Sequence, residues 1–520
     1  MSPNEKRIWT VIVITAVGMF IFLTQRAVEA MLNQSILIQL ESVDNSMEQL
    51  DFPAVTICNH NQIYKPRTEK FMKQLNSSGY TEDEIQDFFH YLPLLTSPQQ
   101  NLFVKTKVYD KMFQSLKIPL KTLMHELMQP CETLFGNCEF LGILTNCTTL
   151  FRPVESYKGF CCAFNYYVSP TIFDNINVEK CTKFYNKHLN CKEEKDCSDE
   201  KRIQKVSGSG IHTGLYFRLY LEPENYFGFI NSYEGASILI HEPHDYPEYD
   251  IYELVVQMSK QVNVIVSGTK VENDVTIRQL SQERRNCIFD LEVPYKYSYQ
   301  SCIASCKMKR FLKICSCVPY YYPDTCVNIS KICDFSNMKC IRKNYVEINN
   351  FHEDVKLESG MLLKKCPCLQ VCSKTKYIVY DEVSSIYQGL RHPFLERLPN
   401  SNRGSDFDFA KIYVYFQDYT FTKYKKRLSS PWYTTIGTLG AVLGLCLGGS
   451  FISLLEPIIQ VFVTPCRIKY RETQRKKIVV NDRKNNKFFQ KFSSKNRIKI
   501  TETNPNISML ENDFKMYFNY

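Results

Sequence analysis

The sequence lacks the short motifs that mark the common classes of enzyme. It contains no H-E-x-x-H zinc motif, no G-x-S-x-G nucleophile turn and no phosphate-binding P-loop. The segment HEPH at 241–244 has the wrong spacing for a zinc protease, and Pro243 would break the helix that such a site requires. We interpret it as a turn between strands. The residues therefore predict no catalytic centre, no metal site and no cofactor.

Apart from one segment, the chain also lacks an excess of charge of either sign. Its 520 residues include 64 Lys and Arg and 54 Asp and Glu, which gives a net charge of +10. Residues 467–499 hold 13 basic and 2 acidic residues, so this segment carries +11 and the remainder sums to −1. This distribution argues against a nucleic-acid-binding protein, whose basic surface would belong to a folded domain. Apolar residues make up 44% of the chain, which excludes a wholly disordered protein.

Cysteine is abundant. The chain has 22 cysteines, and 20 of them lie between Cys58 and Cys372. A reducing cytosol would leave that many thiols unpaired, so we predict a disulfide framework in an oxidising compartment. The Cys-x-Cys pairs at 315–317 and 366–368 could bind zinc in the cytosol, but in this setting they are halves of disulfides.

Two apolar segments bracket the cysteines. Residues 8–23 carry no charge and are slightly short for a membrane span unless flanking residues reach the interface. A cleaved signal peptide is the alternative, because Lys6 and Arg7 precede the segment, but no A-x-A cleavage site follows it. Residues 436–463 contain a single charge, Glu456, and are long enough to span a bilayer with tilt. We therefore predict two spans.

The flanking charges predict the orientation of the chain in a membrane. The basic run follows the second segment directly, and the positive-inside rule places it in the cytoplasm. With two spans, the N-terminus is also cytoplasmic and the residues between the spans are extracellular. Four glycosylation sequons lie in that region: Asn33, Asn76, Asn146 and Asn328. The predicted divisions are a cytoplasmic N-terminus at 1–7, a transmembrane helix at 8–25, an extracellular domain at 26–430, a second membrane segment at 431–464 and a cytoplasmic tail at 465–520.

The extracellular region shows both helical and strand patterns. Helices are expected at 65–130, where Thr81 and Glu84 have the spacing of a capping box. Alternating apolar and polar residues predict strands within 205–280, and we also interpret 35–60 and 411–424 as strands. The first strand leaves the membrane and the last returns to it.

Small residues recur in the second apolar segment. Gly440, Gly444 and Gly448 are spaced to lie on one face of a helix. This face can pack against another helix, or it can line a pore in which backbone carbonyls replace the hydration water of an ion. Glu456 either faces a protein or water-filled interior or reaches the cytoplasmic interface. The residues alone leave these readings open.

A series of motifs follows one order along the chain. It begins with FPAVTICN (52–59), KGFCCAFN (158–165) and SGSGIHTGLYFRL (207–219), and continues with EGASILIHEPHDYP, LSQERRNC and YSYQSCIASC. It ends with CSC, CPCLQVC and LGLCLGGSFISLLEP. This series resembles the degenerin/epithelial sodium channel family over nearly the whole chain. The doubled cysteine in KGFCCAFN is most similar to the insect pickpocket branch.

The resemblance implies a membrane protein with two transmembrane α-helices and a large disulfide-rich α+β extracellular domain of the palm, thumb, finger and β-ball type, with the thumb at about 287–375. It implies a subunit of a trimeric, sodium-selective, amiloride-sensitive cation channel of the plasma membrane, gated by an extracellular ligand or a mechanical stimulus. The implied partners are sodium ions, identical or related subunits and membrane lipid, with no nucleic acid. The alternative is a non-conducting, membrane-anchored, cysteine-rich receptor or chemosensory binding subunit.

The resemblance also assigns roles within the pre-pore region and second span at 431–464. It matches the selectivity filter to Gly448, Gly449 and Ser450. Gly444 matches the position of amiloride block. Gly437 matches the degenerin position, where a bulky side chain holds the pore open. Glu456 matches an acidic residue of the inner pore-forming helix.

The same resemblance implies a ladder of thumb disulfides. It pairs Cys287 with Cys372, Cys302 with Cys368, Cys306 with Cys366, Cys317 with Cys326, and Cys315 with Cys333. Cys58 is expected to bond to one of Cys181, Cys191 or Cys197, and Cys340 is left without a place. Two family features are missing: the His-Gly gating motif before the first span, and the histidine pair between Met31 and Phe52 of acid-sensing members, so proton gating is disfavoured.

Overall fold

The computed structural model describes both apolar helices and most of the cysteine-rich region. The described residues are 3–32, 36–97, 106–167, 203–229, 234–248, 251–289, 292, 297–323, 331–357, 360–386, 409–429, 432–448 and 469–471. They divide into two compact units, one with the two apolar helices and one that spans Ser35–Ser429.

The helices of the described residues fall into three groups. The first apolar segment forms α1 (Pro3–Leu32), which extends beyond the predicted 8–25 at both ends. The region predicted to be helical forms α2 (Lys65–Ser77), α3 (Glu82–Tyr91), α4 (Thr106–Leu116) and α5 (Leu120–Leu127). The remainder are α6 (Cys131–Leu134), α7 (Cys147–Leu150), α8 (Gln282–Arg285), α9 (Tyr299–Cys315), α10 (Met338–Lys343), α11 (Tyr345–Asn349) and α12 (Trp432–Leu447).

The strands of the described residues occupy most of the larger unit. The first nine are β1 (Ile36–Ser46), β2 (Ala54–Asn59), β3 (Asn61–Tyr64), β4 (Phe135–Phe140), β5 (Ile143–Thr145), β6 (Phe151–Ser156), β7 (Gly159–Phe164), β8 (Leu215–Leu219) and β9 (Tyr226–Phe229). The others are β10 (Ala236–His241), β11 (Tyr252–Val256), β12 (Lys260–Asn273), β13 (Cys287–Ile288), β14 (Val355–Lys356), β15 (Leu362–Leu363), β16 (Gln370–Val371), β17 (Lys374–Ser385), β18 (Ala410–Phe416) and β19 (Thr420–Leu428).

Two large sheets organise the strands. The larger sheet has the order β1-β19-β12-β18-β8-β4-β5, and β17 also pairs with β12. In this sheet β12 runs parallel to both β18 and β19 and antiparallel to β17. The strands that leave and approach the apolar helices in the chain pair directly, with Ile36 opposite Leu428 in the antiparallel β1–β19 ladder. The second sheet has the order β11-β10-β2-β7-β6.

The core lies between the two sheets. The ring of Phe52 meets Phe140 and Phe416 of the larger sheet edge-on, at centroid distances of 5.7 and 5.5 Å, and Phe164 of the second sheet at 5.9 Å. Strand β12 contributes alternate side chains to this core, since Val262, Val264 and Val266 are fully buried. The alternation of apolar and polar residues thus gives β12 one buried face.

The helices α2–α5 form where the sequence predicts them, and the start of α3 shows a local cause. The predicted capping box is present, because Thr81 Oγ1 accepts from Glu84 N and the Glu84 carboxylate accepts from Thr81 N. Their buried faces meet the thumb, where the rings of Phe88 and Tyr109 lie 6.2 and 5.4 Å from that of Phe335. These aromatic contacts join the helical region to the cysteine-rich segment.

Eight disulfides join cysteines of the described residues. They are Cys58–Cys161, Cys131–Cys162, Cys138–Cys147, Cys287–Cys372, Cys302–Cys368, Cys306–Cys366, Cys315–Cys340 and Cys317–Cys333. The Cys287–Cys372, Cys302–Cys368 and Cys306–Cys366 pairs are those that the resemblance implies. Together they fasten α9 and the start of the thumb to the segment that leads into β17.

The expected pairing of Cys317 with Cys326 is wrong. Cys317 is bonded to Cys333, with their Cα atoms 4.9 Å apart. A parallel bridge between Val318 and Ile332 places the two cysteines side by side, through hydrogen bonds on both sides of Val318. Cys326 lies outside the described residues.

The expected pairing of Cys315 with Cys333 is also wrong. The observed partner of Cys315 is Cys340, for which the resemblance implies no partner. Cys315, the last residue of α9, is bonded to Cys340 on α10, with Cα atoms 5.8 Å apart. The short helix α10 packs on the end of α9, so it brings to Cys315 a cysteine that the resemblance does not place.

The expected partners of Cys58 are wrong as well. Cys58 is bonded to Cys161 on the neighbouring strand. In the β2–β7 ladder Ile57 lies opposite Cys162, so the antiparallel register puts Cys58 opposite Cys161, at a Cα distance of 4.5 Å. The expected partners Cys181, Cys191 and Cys197 lie outside the described residues.

Candidate functional site

Helix α1 has the properties of a membrane span. It is 30 residues long, about 45 Å at 1.5 Å per residue, and it is long and apolar enough to cross a bilayer over Pro3–Ala30. Its apolar side chains are open to the surroundings; Trp9 and Ile14, for example, are 56% and 66% exposed. The hydroxyls of Thr10 and Thr15 donate to backbone carbonyls four residues earlier, so they stay satisfied where no water is present.

Helix α12 contains Gly440 and Gly444 of the predicted glycine face, whereas Gly448 lies beyond its last residue. Gly437 lies on the same side of the helix, three residues before Gly440. A Cβ atom built on Gly437 or Gly440 meets nothing within 4 Å. The backbone at Gly437 and Gly440 is thus unobstructed within one chain, and other helices can approach it closely.

The helix ends where the predicted filter begins. α12 stops at Leu447, and Gly448 has a φ of +60°, the left-handed conformation of a helix C-terminal glycine. The Gly448 N–H donates to Gly444 O at 3.0 Å, which closes the last turn. A side chain at Gly448 would strain this conformation.

The rest of the predicted site falls outside the described residues. Gly449, Ser450 and Glu456 all belong to the segment 449–468. The sequence predicts one continuous span over 436–463. The structure describes this segment only as far as Gly448, and α12 ends at Leu447.

An ion-pair network ties β1, β12 and β19 together. Lys423 Nζ lies 3.3 Å from a Glu41 oxygen and 2.9 Å from a Glu272 oxygen. Lys425 Nζ lies 3.4 Å from Glu41 and 3.8 Å from Asp274. The network joins the strand that follows α1 in the chain, the strand that precedes α12, and the strand between them.

The network shifts the ionisation of its members. Burial opposes ionisation of the Glu272 carboxyl, but hydrogen bonds from Lys423 and Lys270 outweigh it and lower the pKa of Glu272. Hydrogen bonds from the Thr276 backbone and hydroxyl lower the pKa of Asp274. The hydrogen bond to Glu272 raises the pKa of Lys423. All of these groups are charged at neutral pH, so the three strands are held together by opposite charges.

The HEPH segment has a structural role at its first histidine. His241 ends β10 and is buried; its Nε2 lies 2.9 Å from Thr56 Oγ1 and its Nδ1 lies 2.9 Å from Glu242 O. Burial lowers the pKa of His241 to about 4, so the ring is neutral. Among the residues that the structure describes, no group of three potential metal ligands is present.

Two of the four sequons lie in the described residues, and both are accessible. Asn76 is exposed near the end of α2. Asn146 is exposed at the N-cap of α7, where its Oδ1 accepts from Thr148 N at 3.1 Å. Asn33 and Asn328 lie outside the described ranges.

Comparison with known proteins identifies the family. The family model described as "Amiloride-sensitive sodium channel" matches residues 2–459. The chain belongs to the amiloride-sensitive sodium channel family. Its relatives include Drosophila melanogaster sodium channel protein Nach, 21% identical over 440 residues, 84% of this chain and 77% of that protein. Drosophila melanogaster pickpocket protein 28 is 23% identical over 453 residues, 83% of this chain and 69% of that protein.

A vertebrate relative extends the match. Bos taurus epithelial sodium channel subunit beta is 20% identical over 522 residues, 88% of this chain and 77% of that protein. The prediction of the degenerin/epithelial sodium channel family, with pickpocket proteins among its relatives, is confirmed. The prediction that the chain is not an enzyme is confirmed by membership in a family of ion channels. The chain is a membrane channel protein with a disulfide-rich extracellular domain.

Two features of the structure were not predicted from the sequence: the ion-pair network around Lys423 and the separate partners of Cys161 and Cys162. The alternation in TKYKKRL places Lys423 and Lys425 on one face of β19, but the sequence does not show that Glu41 faces them across β1. The doubled cysteines bond in different directions, Cys161 to Cys58 and Cys162 to Cys131, because successive residues of β7 point to opposite faces.

Proposed function

We propose that this chain is a two-span subunit of a trimeric, sodium-selective, amiloride-sensitive cation channel of the plasma membrane. Sodium ions pass down their gradient through a pore lined by three copies of α12 and the residues that follow it. Both termini face the cytoplasm, and Ser35–Ser429 form the extracellular domain. The partners are sodium ions, identical or related subunits and surrounding lipid, and no cofactor takes part.

The observation that supports this proposal most strongly is the break of α12 at Gly448. A glycine in the left-handed conformation ends the helix at the first of the three residues assigned to the filter. Carbonyl groups freed by a helix end can replace the water around an ion. Gly449 and Ser450 would then supply a further carbonyl and a hydroxyl.

The open glycine face supports assembly around an axis. Small residues at Gly437, Gly440 and Gly444 allow several copies of α12 to approach closely. In a closed ring the same face of each copy points to the pore, so Gly444 lies where amiloride would enter. A bulky side chain at Gly437 would then keep the helices apart and hold the pore open.

The experiment that tests the filter is the substitution Ser450→Leu in the full chain. We expect the variant to reach the cell surface but to lose its current or its preference for sodium, because a leucine offers no oxygen to the ion. Leu445→Ala is the matched control: Leu445 is 78% exposed and lies about 100° around the helix from Gly444. An unchanged sodium preference in Ser450→Leu would remove the filter assignment.

A further inference from the structure

The segment that follows β10 joins two parts of the extracellular domain. We call residues 242–248, which read EPHDYPE, the junction loop. The sequence alone suggests only a turn between strands for this segment. In the structure the loop is held on one side by the second sheet and on the other by the thumb helix α9 and the residues that follow it.

Backbone hydrogen bonds hold the junction loop to the second sheet. Tyr157 N, between β6 and β7, donates to Pro247 O at 3.2 Å. Tyr167 N, just beyond β7, donates to Pro243 O at 2.8 Å. The loop therefore moves with β7 and with β2, the strand that pairs with both β7 and β10.

Side-chain contacts hold the same loop to the thumb. Ser298, the N-cap of α9, donates through its hydroxyl to Asp245 at 2.6 Å. The Tyr246 hydroxyl donates to Tyr321 O at 2.9 Å. Lys307 Nζ donates to Glu248 Oε1 at 2.9 Å. The loop thus contacts α9 at its start and again nine residues further along the helix, and it also contacts the segment that follows the helix.

The Lys307–Glu248 pair is fully buried. Each side chain is 1% exposed, whereas Lys121 and Glu155, which also form an ion pair, are 14% and 24% exposed. The Lys307 ammonium also lies 5.2 Å from the centre of the Phe351 ring. Burying two charges costs desolvation that an apolar pair of similar volume would avoid. Displacement of α9 from the loop would pull these opposite charges apart in a buried setting, where their attraction is strong, so the contact resists separation of the two elements.

We propose that Lys307 and Glu248 are positioning residues for gating, which transmit movement between the thumb helix α9 and the second sheet. This inference rests on the proposed channel function. When α9 moves, the ion pair carries the junction loop with it, and the loop carries β10 and β2. Strand β2 follows β1 in the chain, and β1 pairs with β19, so the displacement reaches the two strands adjacent in sequence to the apolar helices.

The test replaces the ion pair by an apolar pair in the full chain. Lys307→Met alone removes the ammonium that donates to the buried Glu248 carboxylate and should reduce surface abundance. The double variant Lys307→Met/Glu248→Leu should restore surface abundance, because it removes both charges of the buried pair. The control is Lys313→Met, which removes an exposed lysine of the same helix.

The functional readout compares two currents for each variant, measured at equal surface abundance. The first is the current of the variant itself, and the second is its current when Gly437→Val is added to hold the pore open. The readout is the ratio of the first current to the second. This ratio reports the open fraction of each variant. We expect it to change by at least about fivefold in the double variant and to be unaltered by Lys313→Met. An unchanged ratio in the double variant would mean that the pair only stabilises the fold, and it would overturn the proposal.

A second readout does not need a current. Hydrogen exchange of the purified full chain should show α9 and β10 opening together in the wild type and separately in the double variant. Exchange that is identical in the two proteins would overturn the transmission of movement through this pair. The two proposals can fail separately. If the chain with Gly437→Val as its only substitution carries no current, the channel function is contradicted. If hydrogen exchange in the double variant still changes as expected, the mechanical link between α9 and β10 stands.

Discussion

Phe52 shows how one side chain joins the two large sheets. Its ring is fully buried and meets Phe140, Phe164 and Phe416 edge-on, so it draws contacts from strands of both sheets. Aromatic pairs in this geometry add to the stabilisation from burial alone. The motif FPAVTICN, one of those that carry the family resemblance, thus begins with a residue at the centre of the core.

Replacing this ring should destabilise the extracellular domain strongly. We expect Phe52→Ala to lower the free energy of unfolding by about 3–5 kcal/mol, because it removes the ring and leaves a cavity between the sheets. The measurement is thermal unfolding of the purified full chain. Tyr419→Ala, at a side chain that is 70% exposed, is the matched control and should change little. Equal stability of both variants would contradict the central place of Phe52.

Some features of individual residues can be predicted from the sequence, and others cannot. A glycine at position 448 is visible in the sequence, but its positive φ is not, because glycine adopts either sign of φ readily. The capping box at Thr81 and Glu84 was predictable because its two hydrogen bonds depend on local spacing alone. A buried lysine such as Lys307 was not, since its charge suggests a solvent-exposed helix face.

At the scale of elements, the ion-pair network makes the β1–β12–β19 assembly sensitive to acid. The pKa of Glu272 and that of Asp274 are lowered from their ordinary values of 4.5 and 3.8. Carboxyl groups with a lowered folded-state pKa contribute stability above the ordinary value. That stability is lost as the pH falls through the lowered value.

The difference in stability between wild type and Lys423→Met should therefore depend on pH. At neutral pH we expect the variant to melt about 1–3 °C lower, because partly exposed pairs contribute little each. The difference should shrink as the pH falls through the lowered pKa values of these carboxyl groups, and it should vanish once they are protonated. The control is Lys376→Met on the exposed side of β17. A melting difference that stays the same from neutral pH until the carboxyl groups are protonated would show that the ion pairs contribute nothing.

The disulfides of Cys315 and Cys317 depend on how the short helix α10 and the bridge at Val318 pack in the thumb, so their pairing tests that packing. We expect a non-reducing digest of the purified protein to yield peptides that link Cys315 to Cys340 and Cys317 to Cys333, as the packing of α10 and the bridge at Val318 require. Mass spectrometry before and after reduction identifies these peptides. A peptide that links Cys315 to Cys333 would contradict the assignment and restore the pairing implied by the resemblance.

The sheets show which features of an element the sequence carries. The alternation at 411–424 predicts a strand, and the structure contains β18 and β19 there. It does not show that β12 runs parallel to both of them while β17 covers its other edge, because pairing between distant strands leaves no local pattern. The cysteine corrections have the same origin: Cys317, Cys333 and Cys340 are close in sequence, and only the packing of the thumb decides between them.

At the scale of the whole molecule, the proposed topology places the large unit outside the cell. We expect Asn146 to carry a glycan in expressing cells, because it is exposed and occupies a sequon. Asn146→Gln should remove one glycosidase-sensitive step in apparent mass. Asn350→Gln, at an exposed asparagine outside any sequon, is the control for the change of side chain and should leave the apparent mass unchanged.

A tag at each end of the chain completes the topology test. Both tags should bind antibody only after the membrane is permeabilised, since both termini are proposed to be cytoplasmic. Surface labelling of one tag in intact cells, together with a glycan at Asn146, would indicate a single span and favour the receptor alternative.

The most direct test of the account is the whole-cell current of Gly437→Val, with surface protein measured in the same cells. We predict an inward current that disappears when sodium is replaced by a large impermeant cation and that amiloride blocks. The bulky side chain on the open face of α12 holds the proposed pore open, so no stimulus is needed. Surface protein without current, both alone and with a related subunit, would contradict the claim that this chain forms a sodium pore.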